Sequence, residues 1–287
     1  MKTFIQFRNE IDGYQDVKKT IEAEEKISVA NVHWLIKEAE HLQKYTNVLE
    51  NVTQQFIINN KIDFDLTTSQ VRRKILIVLG GNKGLVGDLW DRIANSVSAQ
   101  FKIYQKIIIY GKEISQKLSN EIIEQASADI FSFPKSNELA MLQNNLLSMI
   151  WSKKFSQVDI LWPKMVNLSY FQPTKKNIVP LKLSVRNFSN TVINNSSWPI
   201  FEPSKTAIAK ALVSRYLSST ISQAVIETKL AESINRATAM EKAKKEVDKI
   251  VKQLIHNFRV ERKRILTKNQ IEVFIAHKVS KQYANQN

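Results

Sequence analysis

The stretch VLGGNKGLVGDLW (78–90) holds four of the chain's six glycines: Gly80, Gly81, Gly84 and Gly87. A glycine-rich turn after an apolar run can cradle phosphate, because backbone amides approach an anion closely where no Cβ intervenes. Two such chemistries are testable on spacing. A Walker A loop needs G-x-x-x-x-G-K-[ST], so that the lysine reaches the outer phosphates and the hydroxyl holds Mg²⁺. Here Lys83 precedes its glycine, and neither Ser nor Thr follows. A dinucleotide fingerprint needs G-x-G-x-x-G and an acidic residue closing the next strand. Gly81, Gly84 and Gly87 are instead three apart, and KIIIY (106–110) ends without a carboxylate, Glu113 being the nearest stand-in. The glycines therefore read as a tight strand-to-helix turn needing positive φ and close backbone approach.

No other cluster supplies chemistry. The chain has no cysteine, which excludes disulfides, thiol nucleophiles and thiolate metal sites. The four histidines, His33, His41, His256 and His277, have no ligand spacing. Neither a catalytic dyad nor a metal or cofactor set emerges, and the chain reads as non-enzymatic. With 42 Lys+Arg against 27 Asp+Glu the net charge is +15, a field that favours an acidic partner. The first residues lack a signal-peptide pattern, and no apolar run approaches the roughly 20 residues that span a bilayer. A cytoplasmic protein without direct membrane insertion is expected.

The elements that position the turn follow from proline placement. All six prolines lie between Pro134 and Pro203, leaving both ends free to form long helices. Near the N-terminus Leu35, Leu42, Leu49 and Phe56 recur every seven residues, with Val32 and Ala39 at the alternate spacing of a coiled-coil seam. Trp34 and Leu35 read as packing within it. Near the C-terminus Leu230, Ala237, Val251, Phe258 and Ile265 share one heptad lattice interrupted by Lys244, and Val247 and Leu254 supply the second position. Uninterrupted from Lys205 to Lys281, that helix would be on the order of 110 Å long at 1.5 Å per residue. Between the ends, KILIVL, KIIIY, DIFSF, VDILWP, NLSYF and VPLKLSV read as strands alternating with helical stretches, LWDRIANSVSAQF, ISQKLSNEIIEQ and ELAMLQNNLLSMIWSKKF among them. Continuous β-branched runs indicate parallel strands buried on both faces. The expected fold is α/β: a long antiparallel two-helix coiled coil of the terminal helices (1–60 and 205–283) with an inserted Rossmann-like α/β domain (70–195).

These residues carry a family resemblance. GNKGLVGDL (81–89) resembles the D-R-G-L-C-G-x-L turn of the gamma subunit of rotary F-type ATP synthases, with Lys83 for Arg and Val86 for Cys. IETKLAESINRATAM (226–240) resembles the family's L-E-N-K-x-S-E-x-x-x-R-x-x-A-M at Glu227, Lys229, Glu232, Arg236, Ala239 and Met240. Phe201-Glu202-Pro203-Ser204 resembles its Y/F-E-P-S, and Arg215-Tyr216 with Gln223-Ala224 its R-Y and Q-A pairs. Arg262, Thr267 and Glu272 are compatible with the closing R-Q-x-x-I-T-x-E.

The resemblance implies a central-stalk rotor subunit, catalytically silent, that couples rotation to ATP synthesis or hydrolysis in a surrounding hexamer of alpha and beta subunits. Its other partners would be an epsilon-type subunit and a membrane rotor ring, placing the chain peripherally on the inner face of the membrane. Ring contacts are expected from the basic row Lys245, Lys249, Lys252, Arg259, Arg262 and Arg264. The same row could track nucleic acid, but that reading leaves the apolar seams unexplained and aromatics are not interleaved with the basic residues; no nucleic-acid partner is expected. The first helix departs from the family. Where a small-residue tract M-V-A-A-x-K is usual, His33-Trp34-Leu35-Ile36-Lys37 stands, and acidic residues thin the basic face. The departure suggests, as an alternative, the shaft of a specialised ATPase hydrolysing ATP for another machine.

Overall fold

The computed structural model describes residues 4–62, 73–125, 129–152, 154–167, 170–180 and 201–284. Two helices dominate, α1 (Phe4–Asn59) and α6 (Lys205–Ala284). Between them lie β1 (Lys74–Leu79), α2 (Leu89–Ser98), β2 (Lys106–Tyr110), α3 (Lys112–Lys117), α4 (Asn120–Gln125), β3 (Asp129–Phe131), α5 (Leu139–Trp151), β4 (Gln157–Asn167) and β5 (Tyr170–Val179). The chain forms two compact units, one of residues 28–236 and one of 1–27 with 237–287, so each takes a stretch of both long helices.

Helix ends carry their own chemistry. At the start of α6 the Ser204 hydroxyl accepts a hydrogen bond from the Ala207 amide at 3.2 Å, satisfying a donor that would otherwise have no partner. At the end of α1, Lys61 adopts φ +48° while the Ile62 amide donates to the Ile57 carbonyl and the Lys61 amide to that of Ile58, the paired pattern of a left-handed C-cap. Gly13, inside α1, meets nothing within 4 Å of an added Cβ. Gly13→Ala is accordingly expected to stabilise the chain by about 0.5–1 kcal/mol through lost unfolded-state entropy, measurable as a higher denaturant midpoint with unchanged slope.

In the 28–236 unit the strand order is β3-β2-β1-β4-β5, with β3, β2, β1 and β4 mutually parallel and β5 antiparallel on β4. Alternation along KILIVL splits β1 between two cores. Leu76 and Val78 face α2, α3 and the α1/α6 residues Leu35, Ala39 and Leu230. Ile75, Ile77 and Leu79 face α5 and the α1/α6 residues Leu49, Ile57, Val213 and Leu217. The sheet is thus covered on both sides, as its unbroken apolar strands require. Within this unit Thr46 of α1 meets Ser219 of α6, and Phe56 packs edge-on against Phe201. Rising numbers on one chain segment pair with falling numbers on the other, so the two run antiparallel.

The other unit repeats that antiparallel pairing. Phe4 stacks on Phe258 at 4.6 Å between ring centroids, Lys18 bridges Asp248 at 2.6 Å, and Lys244 reaches Glu22 at 3.2 Å. Lys244, which interrupts the apolar lattice in the sequence, is therefore placed as an ion-pairing residue rather than as a defect. Its hydrogen bond to Glu22 raises the Lys244 pKa, and the hydrogen bond from Lys18 lowers that of Asp248.

Three expectations are refined. Trp34 is 56% exposed whereas Leu35 is 3% exposed, because neighbours on a helix point about 100° apart and the seam can take only one of them. The stretch read as one helix over 114–125 is two, since Leu118 is extended (φ −85°, ψ 143°) and buried between α3 and α4. Ile265 is 40% exposed rather than seam-packed. The strand expected at VPLKLSV lies outside the described residues beyond Pro180.

Candidate functional site

The glycine turn joins β1 to α2, and its neighbours explain the residue choice. The Gly80 amide donates to the Tyr110 carbonyl at 2.7 Å, and the Glu113 amide donates to the Gly81 carbonyl at 3.2 Å, tying the turn to the end of β2. Gly81 is wedged between the Trp90 ring and the Glu232 carboxylate, leaving no room for a side chain. Gly84 faces the Glu113 carboxylate, and Gly87 has φ +63°. Asn82 pins the loop after β3, accepting from the Phe133 amide at 2.8 Å and donating to the Phe133 carbonyl at 3.0 Å. Trp90 Nε1 donates to the Lys83 carbonyl at 3.3 Å. The N-terminal end of α2 carries Asp88 and Asp91, whose charges repel a phosphate where a nucleotide loop would attract one.

Against this turn lies the motif stretch of α6. Glu232 and Arg236, one helical turn apart, pair at 2.6 Å with side chains only 13% and 9% exposed. Arg236 also donates to the Gly84 carbonyl at 3.5 Å. The pair thus connects the helix to the turn. Glu227 is 4% exposed and accepts from Trp162 Nε1 at 2.7 Å and from Gln223 Nε2 at 2.8 Å. Lys229 is half-buried, and burial pulls its pKa down against the opposing pull of Glu232 and Glu138. Met240 is buried in the other unit.

The basic row occupies the α6 stretch of that second unit. Lys245, Lys249, Lys252, His256, Arg259 and Lys263 follow one another at spacings of four and three, which places them on one helix face. Lys245 pairs with Glu241 and Lys249 with Glu246, both at 2.7 Å, and Arg264 lies 3.8 Å from Glu261. Among the described residues Lys252, Arg259 and Arg262 are exposed with no acidic partner within ion-pair distance. With Lys263, exposed and likewise without such a partner among the described residues, they are cations available to something outside the chain.

Two features escaped the sequence reading. One is the buried Asp159, which accepts from Tyr104 Oη at 2.5 Å, Gln157 Nε2 at 2.7 Å and Asn177 Nδ2 at 2.7 Å. Burial, then the Asp159 hydrogen bond, raises the Tyr104 pKa well above the usual tyrosine value. A tyrosine pKa raised on folding contributes stability present below about pH 10 and lost as pH rises through the folded value. Tyr104→Phe is expected to cost about 1–3 kcal/mol at neutral pH, since Asp159 loses one of three donors, and to flatten the alkaline fall in stability; denaturant melts at pH 7 and pH 11 check both. The other feature is a polar cleft lined by α1, α6 and the β4–β5 hairpin. Neither has a local motif, because the partners come from distant segments.

Among the described residues no group of His, Asp and Glu could hold a metal ion, and no helix is long and apolar enough to cross a membrane.

Comparison with known proteins adds a whole-length likeness. A family model described as ATP synthase matches residues 3–277. The ATP synthase gamma chain of Mesoplasma florum is 24% identical over 277 residues, covering 95% of this chain and 97% of that one. The ATP synthase gamma chain of Mycoplasma mobile is 25% identical over 221 residues, covering 75% and 76%. Of solved structures, a chain of the Euglena gracilis mitochondrial ATP synthase, OSCP/F1/c-ring in rotational state 3, superposes with a TM-score of 0.64 at 13% identity, covering 99% of this chain and 96% of that one. A chain of the rotor of the same organism's enzyme gives 0.60 at 14% identity, with 92% and 98% covered.

Proposed function

This chain belongs to the ATP synthase gamma-chain family, and from that membership we propose that it is the non-catalytic central-stalk rotor subunit of an F-type ATP synthase. The observation that carries the reading is the end-to-end family match, residues 3–277, on a chain in which both units pair α1 with α6 antiparallel. A shaft needs a long stiff element and a surface on which its partners can pull. The α6 helix, 80 residues long, supplies the first, and the exposed Lys252, Arg259 and Arg262 supply the second by attracting acidic loops. Rotation then couples to chemistry because each angle of an asymmetric shaft makes different contacts with otherwise equivalent catalytic subunits, favouring a different state of each.

Its partners are the alpha and beta subunits of the catalytic hexamer, an epsilon-type subunit and a membrane rotor ring. That set is in keeping with relatives solved within F1, c-ring and central-stalk assemblies. The protein sits peripherally on the inner face of the membrane as part of that complex. Service in a dedicated hydrolase is not favoured, the relatives being named ATP synthase gamma chains. The glycine turn and the Glu227–Arg236 stretch serve the shaft's architecture, while the basic row meets the ring.

Affinity purification of the tagged chain from its native cell tests the reading. Nucleotide-binding alpha and beta subunits are expected in stoichiometric excess over the bait, and ATP hydrolysis should reside in the complex and not in the isolated chain. Recovery of nucleic acid without a nucleotide-binding hexamer would overturn it.

A further inference from the structure

We propose that the cleft between α1, α6 and the β4–β5 hairpin binds a small phosphorylated anion, a role that the shaft function does not require. The cleft lies wholly inside the 28–236 unit and encloses about 480 Å³, within the size range of small-molecule sites, roughly 300–1,000 Å³. Its lining is polar where a helix–sheet junction ordinarily is apolar. From α1 come Gln43, Asn47 and Asn51, spaced i, i+4 and i+8 on one face. Among the described residues these amides make no hydrogen bond to another side chain, so their donors remain available to an acceptor-rich ligand.

The opposite wall supplies charge. Register pairs Trp162 with Thr174 and Ile160 with Lys176, so Trp162, Lys164, Thr174 and Lys176 share the face that lines the cleft. Lys176 leans on Glu50 at only 3.5 Å and over the Tyr216 ring at 5.2 Å. Lys164 is half-buried and, among the described residues, has no carboxylate partner. Lys175 also borders the cleft, but its Nζ is spent on Gln100 Oε1 at 2.7 Å. Three lysine charges, that of Lys175 included, stand against two carboxylates, Glu50 on the lining and Glu227 behind Trp162 and Gln223, and leave a positive surplus. Gln54, Thr220 and Gln223, 5%, 3% and 9% exposed, give the floor fixed polar groups. Ammonium charges beside neutral amide donors are what a phosphoryl group uses, the first for its charge and the second for its remaining oxygens.

The test is calorimetric titration of the full chain with inorganic phosphate, pyrophosphate and ADP at about 0.15 M salt, where loose surface attraction is screened within roughly 8 Å. Saturable one-to-one binding of at least one probe is expected. Preference for ADP would identify a nucleotide, and equal or better binding of pyrophosphate the phosphoryl group alone. Lys164→Ala and Lys176→Ala should each weaken binding about tenfold, and Asn47→Asp, which adds a negative charge to the amide row without touching a lysine, should do the same. Lys112→Ala removes an equal charge on α3 and should change nothing. Circular dichroism and melting establish that each variant is folded; if a lysine variant is not, Asn47→Asp decides. No saturable binding of any probe, or equal weakening by Lys112→Ala, overturns the proposal, and neither result bears on the shaft assignment.

Discussion

Gly111→Ala is expected to destabilise the 28–236 unit by about 3 kcal/mol or more, seen as a fall of roughly 6–12 °C in the melting midpoint at about 2–4 °C per kcal/mol for a domain of this size. Gly111 sits between β2 and α3 with φ +131°, and an added Cβ would lie 2.6 Å from the Gly80 carbonyl carbon, 2.8 Å from the Gly80 oxygen and 2.9 Å from the Gly81 oxygen. Two costs therefore add. The dihedral lies in a region essentially reserved for glycine, worth about 1–3 kcal/mol. The overlap is with backbone at the end of a central strand, which cannot rotate away as a side chain would. Gly87→Ala separates the two terms: its φ is +63° but nothing lies within 4 Å of the added Cβ, so only the left-handed cost of about 1–2 kcal/mol applies. Equal melting shifts for the two variants would show that the contact between the turn and Gly111 is not tight.

The same turn marks the boundary of what the sequence discloses. KILIVL and KIIIY announce parallel strands because β-branched runs without polar alternation suit a sheet covered on both faces, and β1 and β2 are so arranged. The long helices are legible from the proline distribution, and the seam at Leu35, Ala39 and Leu49 from its period. Trp34 shows the limit of period alone. One residue from a buried leucine, it stands more than half exposed, and only the rotation of the helix against the sheet decides between them. The Glu227 site was visible as a motif but not as a structure, since its indole donor Trp162 is 65 residues away in sequence. Asp159 had no signal beyond being a carboxylate in an apolar strand; its three donors converge from β2's approach, β4 and β5. The amide row of the cleft reads, in one dimension, as an ordinary solvated helix face, and becomes a wall only when the hairpin is folded against it.

Glu232→Ala is expected to cost about 3–5 kcal/mol, because it leaves the Arg236 guanidinium nearly buried with no acidic partner. Its remaining contact among the described residues would be the Gly84 carbonyl at 3.5 Å, a neutral acceptor at long range. Arg236→Ala exposes the complementary problem, a carboxylate held against Gly81 and the Trp90 ring. Removing both charges together should cost less than the two single losses added, with a coupling of about 1.5–3 kcal/mol, since the double variant buries neither ion alone. Arg236→Lys should not restore the wild-type value, as an ammonium lacks the planar fork that reaches the carboxylate and a carbonyl at once. Denaturant unfolding of the full chain measures all four variants. A cost below about 1 kcal/mol for Glu232→Ala would class the pair with exposed surface bridges and remove the reason to regard the turn as clamped to α6. If the cost is large, the clamp has a mechanical meaning for a rotor, because displacement of the α/β sheet must then carry this segment of α6 with it. In a purified complex the pair's loss should accordingly lower coupled ATP synthesis more than uncoupled hydrolysis.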